Sequence, residues 1–274
     1  MSSLAPKVLV TVILRNSRWQ DLALDSALCP LRESCALLFD NGGAELPGPS
    51  LPWRLVRDGS NPGVGPRYAQ AALVAKECGL PFLLLLDQDF APPQGWWAAY
   101  EAAVRRCPGA TAWAPRLLTD SVQLSPFRVR RGLPCGPSPA GKQLPALSHV
   151  ALNSGLLVRT DSVLAAAGFL ELCPLDFSDF ALCRSMGLAG GSIAPVDLDL
   201  VHSSSTHEPA TAQDRLRRFC WFAHGARGWR RILSNHRLRI GTWVLGRALR
   251  LSVRHRDPRF LAAAAVRYLG NRLP

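Results

Sequence analysis

The sequence predicts an α/β protein: a mostly parallel sheet flanked by helices, followed by a basic helical C-terminal extension. Short apolar runs such as KVLVTVIL (7–14) and FLLLL (82–86) have the composition of strands that are buried on both faces. These runs alternate with segments of helical periodicity, which is typical of parallel sheets with helical crossovers. From about residue 208 the pattern changes to helical segments rich in arginine.

The elements follow one another in a regular order along the first 205 residues. We predict strands within 7–14, 35–43, 53–63, 82–89, 110–118 and 153–160, and helices over 66–78, 94–107 and 161–167. Residues 125–147 contain five prolines, so we expect a long loop there. A loop of that length within a compact domain is often a lid or a substrate loop.

Composition narrows the class of protein. A hydrophobic content of 48% excludes a disordered chain. No uncharged apolar stretch reaches the roughly 20 residues that are needed to cross a bilayer. The N-terminus lacks a basic region and a cleavage site, so we expect a first strand rather than a signal peptide. The eight cysteines form no C-x-x-C pair, which predicts reduced, mostly buried thiols and a cytoplasmic protein.

The net charge divides the chain into two predicted parts, a domain over 1–205 and an extension over 206–274. Residues 207–274 contain 15 arginines against three acidic residues, so this segment accounts for the whole net charge of +12. Such a basic segment is expected to meet something anionic.

The extension has an amphipathic pattern that fits more than one partner. One predicted helix face carries apolar residues and the neighbouring stripe carries arginines: Ile240, Val244, Ala248 and Leu251, then Arg247, Arg250 and Arg254. This pattern suits an anionic membrane surface, and it equally suits a solvated basic face on a helical cap that is packed over the domain. Nucleic acid is the alternative partner, but no motif for it is present and we do not expect it.

Two carboxylates follow directly on the most apolar run of the chain, in PFLLLLDQDF. In an open parallel sheet, ligands bind outside the carboxyl ends of the strands, so Asp87 and Asp89 would point into that crevice. Two carboxylates on one side suit Mg²⁺ or Mn²⁺ with a phosphorylated substrate. Polar turns also end the other predicted strands: Asn16, Asp40 with Asn41, and Asp58 to Asn61. The alternative is that Asp87 and Asp89 only cap a turn and the next helix.

Six motifs occur in the order that is typical of glycosyltransferase family 2. They are VTVILRNS, LLFDNGG, RDGSNPGVG, FLLLLDQDF, LNSGLLVRTDSVLAAAGF and PLDFSDFALCRSMG. Over about residues 7–205 the chain resembles this family, and most of all its bacterial rhamnosyltransferase-like branch. The resemblance implies a GT-A fold, which is Rossmann-like, and inverting, metal-dependent sugar transfer from a nucleoside diphosphate sugar to an acceptor hydroxyl.

The resemblance also implies roles for individual residues. The donor-binding residues would be Asn16, Asp40, Asn61, Gly63, Asp87, Ser154 and Gly155. The metal ligands would be Asp89, Asp87 and His202, with His207 as the competing histidine. Asp179 would be the catalytic base, and Asp176 is the competing candidate.

The resemblance implies the partners as well. The donor would be a dTDP-, UDP- or GDP-sugar, with rhamnose as the candidate sugar. The acceptor would be a saccharide or a lipid-linked saccharide in cell-surface polysaccharide synthesis, at the inner face of the plasma membrane. Trp96 and Trp97 either stack on the acceptor sugar or pack a helix. The alternative functions are a non-catalytic nucleotide-sugar binding module and nucleic-acid binding through the basic extension.

Overall fold

The structure, a computed structural model, describes residues 4–14, 24–41, 53–57, 60–201 and 211–270. Within these ranges the chain forms a nine-stranded sheet and a three-stranded sheet. The strands are β1 Val8–Leu14, β2 Cys35–Asp40, β3 Trp53–Val56, β4 Phe82–Asp87, β5 Ala112–Thr119, β6 Val122–Ser125, β7 Phe127–Arg130, β8 Leu133–Pro137, β9 Leu144–Pro145, β10 His149–Val150, β11 Leu156–Arg159 and β12 Ser192–Val201.

Helices connect these strands and then follow them. They are α1 Leu24–Ala27, α2 Val64–Glu77, α3 Trp96–Arg106, α4 Thr160–Ala165, α5 Ala167–Leu172, α6 Ser178–Leu188, α7 Ala212–Ile232, α8 Arg237–His255 and α9 Arg259–Ala263, which continues as a π-helical turn over Ala264–Leu269. Short 3₁₀ turns lie at Ala5–Lys7, Cys29–Leu31 and Ser234–His236. None of the helices in the described ranges combines the length and apolar character that crossing a membrane requires.

The larger sheet is mixed, so the prediction of a mostly parallel sheet is only partly correct. Strands β3, β2, β1 and β4 lie side by side and parallel, as predicted. Strand β11 lies antiparallel between β4 and β5, while β12 is parallel to β5. The start of β11 pairs with the end of β4, since Leu156 lies opposite Leu85. The chain therefore enters β11 at the carboxyl edge of the parallel strands and runs back from it.

The sheet separates two hydrophobic cores, because successive side chains of a strand point to opposite faces. In β1, Leu9 and Ile13 pack into the core under α2, α5 and α6. Val10 and Val12 of the same strand pack into the opposite core, under α3. All seven residues of β1 are buried, which is why the strand reads as one continuous apolar run.

Trp96 and Trp97 belong to the core under α3 rather than to a sugar-binding surface. Their side chains are buried, the Trp96 indole N–H donates to the Ala27 carbonyl oxygen at 2.8 Å, and Trp97 stacks on Tyr100. The structure therefore supports the alternative in which Trp96 and Trp97 pack a helix, rather than the one in which they stack on the acceptor sugar.

The prediction of a long loop over residues 125–147 is wrong. Strands β7 and β8 form a hairpin there, with β10 on its other side, and β9 adds to the edge of the large sheet. In β7 the partly buried Phe127 and Val129 alternate with the exposed Arg128 and Arg130, which is a period-two strand signal. The prolines are tolerated because β8 is an edge strand of the small sheet.

The cysteine prediction is half correct. All eight cysteines are free thiols, but only Cys173 and Cys183 are buried.

The arginine-rich helices pack on the front part of the chain and share its core. Phe219, Phe222 and Trp229 of α7 belong to the same hydrophobic cluster as the core under α2. The Trp229 indole N–H donates to the Gly132 carbonyl oxygen at 2.8 Å, in the turn of the β7–β8 hairpin. A capping box starts α7: the Thr211 hydroxyl accepts from the Asp214 backbone N–H at 3.1 Å, and the Asp214 carboxylate accepts from the Thr211 backbone N–H. This packing places one face of α7 and one face of α8 near the carboxyl edge of the large sheet.

Candidate functional site

A cavity of about 1130 Å³ lies at the carboxyl ends of β1, β2 and β4. Its floor includes Ile13 at the end of β1, Asn41 directly after β2, and Asp87 at the end of β4. The β7–β8 hairpin and helices α6, α7 and α8 form the other walls. The position agrees with the rule that open α/β sheets bind ligands at the carboxyl edge of their strands.

Seven of the predicted site residues line this cavity. They are Asn61, Gly63, Asp87, Asp89, Ser154, Asp176 and Asp179. Four separate segments of the chain supply them: the loop before α2, the end of β4, the turn before β11 and the start of α6. The structure therefore brings together residues that are more than 100 positions apart in the sequence.

The other predicted residues either lie elsewhere or fall outside the described ranges. The cavity lining does not include Asp40; it is buried at the end of β2, where its carboxylate binds the guanidinium of Arg57 at 2.7 Å. Gly155 lies just behind the lining, and its carbonyl oxygen accepts the hydroxyl of Tyr100. Asn16, Asp58, His202 and His207 lie outside the described residues.

The β4 strand and the turn after it place Asp87 and Asp89. Residues 82–86 are buried in the centre of the sheet, and Asp87 lies opposite Ile13 of β1. The Phe90 backbone N–H donates to the Asp87 carbonyl oxygen at 3.2 Å, and the Phe90 side chain is buried against Trp96. These apolar contacts on both sides hold the turn in place. Within it, Asp87 is half-buried and Asp89 is exposed at the cavity.

Asp179 is a carboxylic acid in an environment that disfavours its charge. It lies in the first turn of α6, and its Oδ1 accepts the backbone N–H of Asn153 at 3.3 Å. Burial and the negative charges of Asp87 and Asp176 raise the pKa of Asp179 to about 7 from 3.8, although the Asn153 hydrogen bond and Arg218 act in the opposite direction. Near neutral pH this group is divided between its protonated and ionised forms.

Asp176 has a different electrostatic environment. Its Oδ1 lies 3.3 Å from Nη2 of Arg218, a residue of α7. Burial raises the pKa of Asp176, while the positive charges of Arg218 and Arg247 lower it. Its second oxygen, Oδ2, is buried and accepts no hydrogen bond from the residues that the structure describes. The structure thus distinguishes the two carboxylates: Asp176 faces cations, whereas Asp179 faces mainly carboxylates.

Asp87 and Asp89 are the residues of the cavity that could hold a divalent cation. In the part of the chain that the structure describes, no group of three or more His, Cys, Asp or Glu side chains is arranged around one metal position. Two carboxylates are sufficient for Mg²⁺, because this ion keeps several waters and also binds substrate phosphates. The negative charge of Asp87 raises the pKa of Asp179, and a cation bound here would balance that negative charge. The residues therefore fit Mg²⁺ or Mn²⁺ in type and number.

Sequence reasoning missed the residues that hold the site together. Arg67 of α2 is buried; its Nε donates to Oδ1 of Asn41 at 3.1 Å, and its Nη2 donates to the Ser60 carbonyl oxygen at 3.2 Å. It thereby joins the turns that follow β2 and β3. Asn153 holds Asp179 through its backbone and donates from its side chain to Ser178 Oγ at 3.3 Å. For Arg67 the sequence did contain a signal, because it is an arginine within the apolar pattern of α2.

The sequence left two alternatives open for the arginine-rich helices, a membrane-binding surface and a helical cap packed over the domain, and it did not predict that α7 and α8 form walls of the cavity. Arg218, Trp221, Trp243 and Arg247 all line the cavity. The guanidinium of Arg247 lies 4.0 Å from the ring centre of Phe222, a cation–π contact that orients it. Arginines interleaved with aromatic residues were visible in the sequence, but their position over the site was not.

A search against protein-family models returned no match, and a search of the curated proteins also returned none. The resemblance to glycosyltransferase family 2 therefore stays a prediction.

Proposed function

We propose that the chain is an inverting, metal-dependent glycosyltransferase of the GT-A type that transfers a sugar from a nucleoside diphosphate sugar to a saccharide hydroxyl. One observation carries the proposal: a single cavity collects the Asp87–Asp89 turn on one wall and the carboxylate of Asp179 on another. Sugar transfer needs these two functions, an anchor for a diphosphate through a cation and a base for the acceptor hydroxyl.

The donor would bind along the strand ends. Asp87 and Asp89 would hold the cation, and a bound Mg²⁺ or Mn²⁺ would supply positive charge for the diphosphate leaving group. Asn61, Gly63 and Ser154 would line the rest of the donor site. Gly63 has a φ of +94°, and a Cβ there would lie 2.2 Å from the Pro174 carbonyl oxygen, so a side chain does not fit beside this wall.

Asp179 is the better supported base of the two candidates. A group with a pKa of about 7 is matched to proton transfer at neutral pH. It would accept the proton of the acceptor hydroxyl as that oxygen attacks the anomeric carbon and the bond to the diphosphate breaks. One displacement without a covalent intermediate inverts the anomeric configuration. Asp176, which is paired with Arg218, is better suited to positioning.

The acceptor would enter from the side of α7 and α8. Trp221 and Trp243 line the cavity there and are only partly buried. Aromatic rings of this kind offer an apolar face together with a polar edge, which suits a sugar ring. We propose a saccharide or lipid-linked saccharide as the acceptor, and rhamnose as the sugar to test first. We propose that the reaction takes place in the cytoplasm.

Thermal stability with nucleotides tests the donor site. A ligand that binds only the folded state raises the stability by mass action. We expect one of dTDP, UDP and GDP to raise the melting temperature in the presence of Mn²⁺, and we expect Asp89→Ala to abolish this shift without unfolding the protein. Glu77→Ala is the matched control, because it removes an exposed carboxylate at the far end of α2. An unchanged Mn²⁺-dependent shift in Asp89→Ala would contradict the proposed metal site.

A transfer assay tests the base. We expect Asp179→Asn to keep the nucleotide shift and to lose transfer by roughly 10²- to 10⁴-fold, the usual contribution of a general base. If Asp176→Asn gives this result and Asp179→Asn does not, the base is Asp176. Nucleotide binding by the wild-type protein with no transfer to any acceptor would instead favour the non-catalytic binding module.

A further inference from the structure

A second, smaller cavity lies beside the first on helix α8. It has a volume of about 290 Å³ and is lined by Trp243, Arg247, Arg250, Leu251 and Arg254. Two of these residues, Trp243 and Arg247, also line the large cavity. The two cavities therefore adjoin each other at Trp243 and Arg247.

The small cavity collects three guanidinium groups from one helix face. Arg247, Arg250 and Arg254 are spaced i, i+3 and i+7, which brings their side chains to the same side of α8. No described residue accepts a hydrogen bond from Arg250 or Arg254, or forms an ion pair with either. Arg247 has the carboxylate of Asp176 nearby, whereas Arg250 and Arg254 have no partner carboxylate among the described residues. The three positive charges repel one another, and an anion would reduce that repulsion.

The pKa of Arg247 reflects its burial and the charged groups around it. Burial lowers the pKa of Arg247, the carboxylate of Asp176 raises it, and the positive charges of Arg218 and Arg250 lower it further. Its guanidinium is held against the ring of Phe222 and does not turn away into solvent. A fixed, partly desolvated arginine of this kind is suited to binding a phosphate group.

We propose that Arg247, Arg250 and Arg254, together with Trp243, form a binding site for a phosphate or diphosphate group carried by the acceptor. The role of this site in the reaction depends on the proposed glycosyl transfer. Trp243 and Arg247 border both cavities, so the phosphate would occupy the small cavity while the sugar hydroxyl lies in the large one near Asp179. Arginine forks match the geometry of phosphate oxygens, and the small volume suits such a group better than a whole sugar chain.

The next face of α8 indicates how the phosphate is carried. Leu249 and Val253 are 55% and 71% exposed and lie beside the arginines on the helix surface. An exposed apolar stripe next to arginines is the arrangement of helices that lie in the plane of an anionic membrane. We expect the phosphate to be carried by a lipid, and the soluble form of the same group is the alternative source.

Calorimetric titration with inorganic pyrophosphate tests the site. The titration is done in EDTA, so that the metal-dependent donor site does not contribute. We expect the wild-type protein to bind and the Arg250→Gln/Arg254→Gln variant to bind about ten-fold more weakly for each lost contact. Arg237→Gln/Arg239→Gln is the matched control, because it removes two exposed arginines from the same helix outside the cavity, and we expect it to bind like the wild type.

Three results would overturn the site: no pyrophosphate binding by the wild-type protein, unchanged binding in the Arg250→Gln/Arg254→Gln variant, or equal weakening in both double variants. The third result would mean that only the overall positive charge matters. Neither Arg250 nor Arg254 lines the donor cavity, so both double variants should keep the nucleotide-dependent thermal shift. Pyrophosphate binding at this site without a nucleotide-dependent thermal shift in the wild-type protein would support the anion site and contradict the proposed function.

Vesicle co-sedimentation distinguishes the two sources of phosphate. We expect binding to vesicles of phosphatidylcholine with phosphatidylglycerol, none to phosphatidylcholine alone, and a loss of binding in Arg250→Gln/Arg254→Gln that exceeds the loss in the control. This result supports a lipid-borne phosphate. Pyrophosphate binding without vesicle binding supports the same site with a soluble phosphorylated acceptor.

Discussion

Gly228→Ala is predicted to destabilise the protein, although the same change in most helices stabilises them. Gly228 lies within α7, where the helix crosses α5. A Cβ added at this position would lie 1.8 Å from the Leu172 carbonyl oxygen and 3.1 Å from the Cys173 sulfur. The nearest atom belongs to a backbone that cannot rotate aside, so α7 and α5 would have to move apart by roughly 1 Å.

The size of the effect follows from two opposing contributions. Overpacking of a well-packed core costs typically about 1–3 kcal/mol, and a rigid backbone oxygen places this site at the upper end of that range. Replacing glycine with alanine in a helix returns about 0.5–1 kcal/mol. We therefore expect a net loss of about 2 kcal/mol. For a chain of this length that is a fall of roughly 4–8 °C in the melting temperature.

Gly246→Ala is the matched control for this prediction. It makes the same chemical change within α8, at an exposed position where nothing lies within 4 Å of the added Cβ. We expect this variant to gain about 0.5–1 kcal/mol. Thermal and urea unfolding of the two variants should thus give changes of opposite sign. If Gly228→Ala is as stable as the wild type or more stable, the close contact between α7 and α5 is not present, and the walls that α7 gives the cavity would have to be placed differently.

Two further predictions concern the cavity itself. Between the unfolded pKa of 3.8 and the folded pKa of about 7, folded Asp179 binds more protons than the unfolded chain, so the unfolding free energy falls as the pH rises through this range. In EDTA, Asp179→Asn should therefore be more stable than the wild type above pH 7, by up to about 4 kcal/mol at 1.36 kcal/mol per pKa unit. This difference in unfolding free energy, measured by urea unfolding, should disappear in acid. A difference that does not change with pH would contradict the buried, negatively charged environment of Asp179. Arg67→Met should weaken the nucleotide-dependent thermal shift and cost about 1–3 kcal/mol in unfolding, because Asn41 and Ser60 lose their buried donor. An unchanged nucleotide shift in Arg67→Met would mean that these turns do not contact the donor.

The parallel half of the sheet could be predicted from the sequence because buried strands have a local signature. The run 7–14 became Val8–Leu14, and the carboxylates that follow FLLLL lie at a strand end beside a cavity, as expected. Strand direction has no such signature. β11 is a short apolar run like the parallel strands β1 and β4, and its antiparallel direction follows only from where the chain enters the sheet.

Each of the missed site residues has at least one partner that lies far away in the sequence. Arg67 binds Asn41, which is 26 positions earlier, and the backbone of Asn153 binds Asp179, which is 26 positions later. Periodicity and motif spacing describe neighbours within about a dozen residues, so they do not reveal such pairs. The position of Arg247 over the site depends likewise on how two whole helices pack.

Close backbone contacts make the placement of the carboxylates depend on the C-terminal helices. The loop that carries Asp176 packs against two glycines. The Pro174 carbonyl oxygen contacts Gly63, and the Asp176 carbonyl oxygen contacts Gly225 of α7. A Cβ added at either glycine would lie 2.2 Å from the carbonyl oxygen that it faces. The Gly65 backbone N–H donates to the Pro174 carbonyl oxygen at 2.9 Å and fixes the first of these contacts. Because this loop leads directly into the helix that carries Asp179, its position is set by the donor side and by α7 together. The basic helices are therefore part of the wall that positions the proposed base.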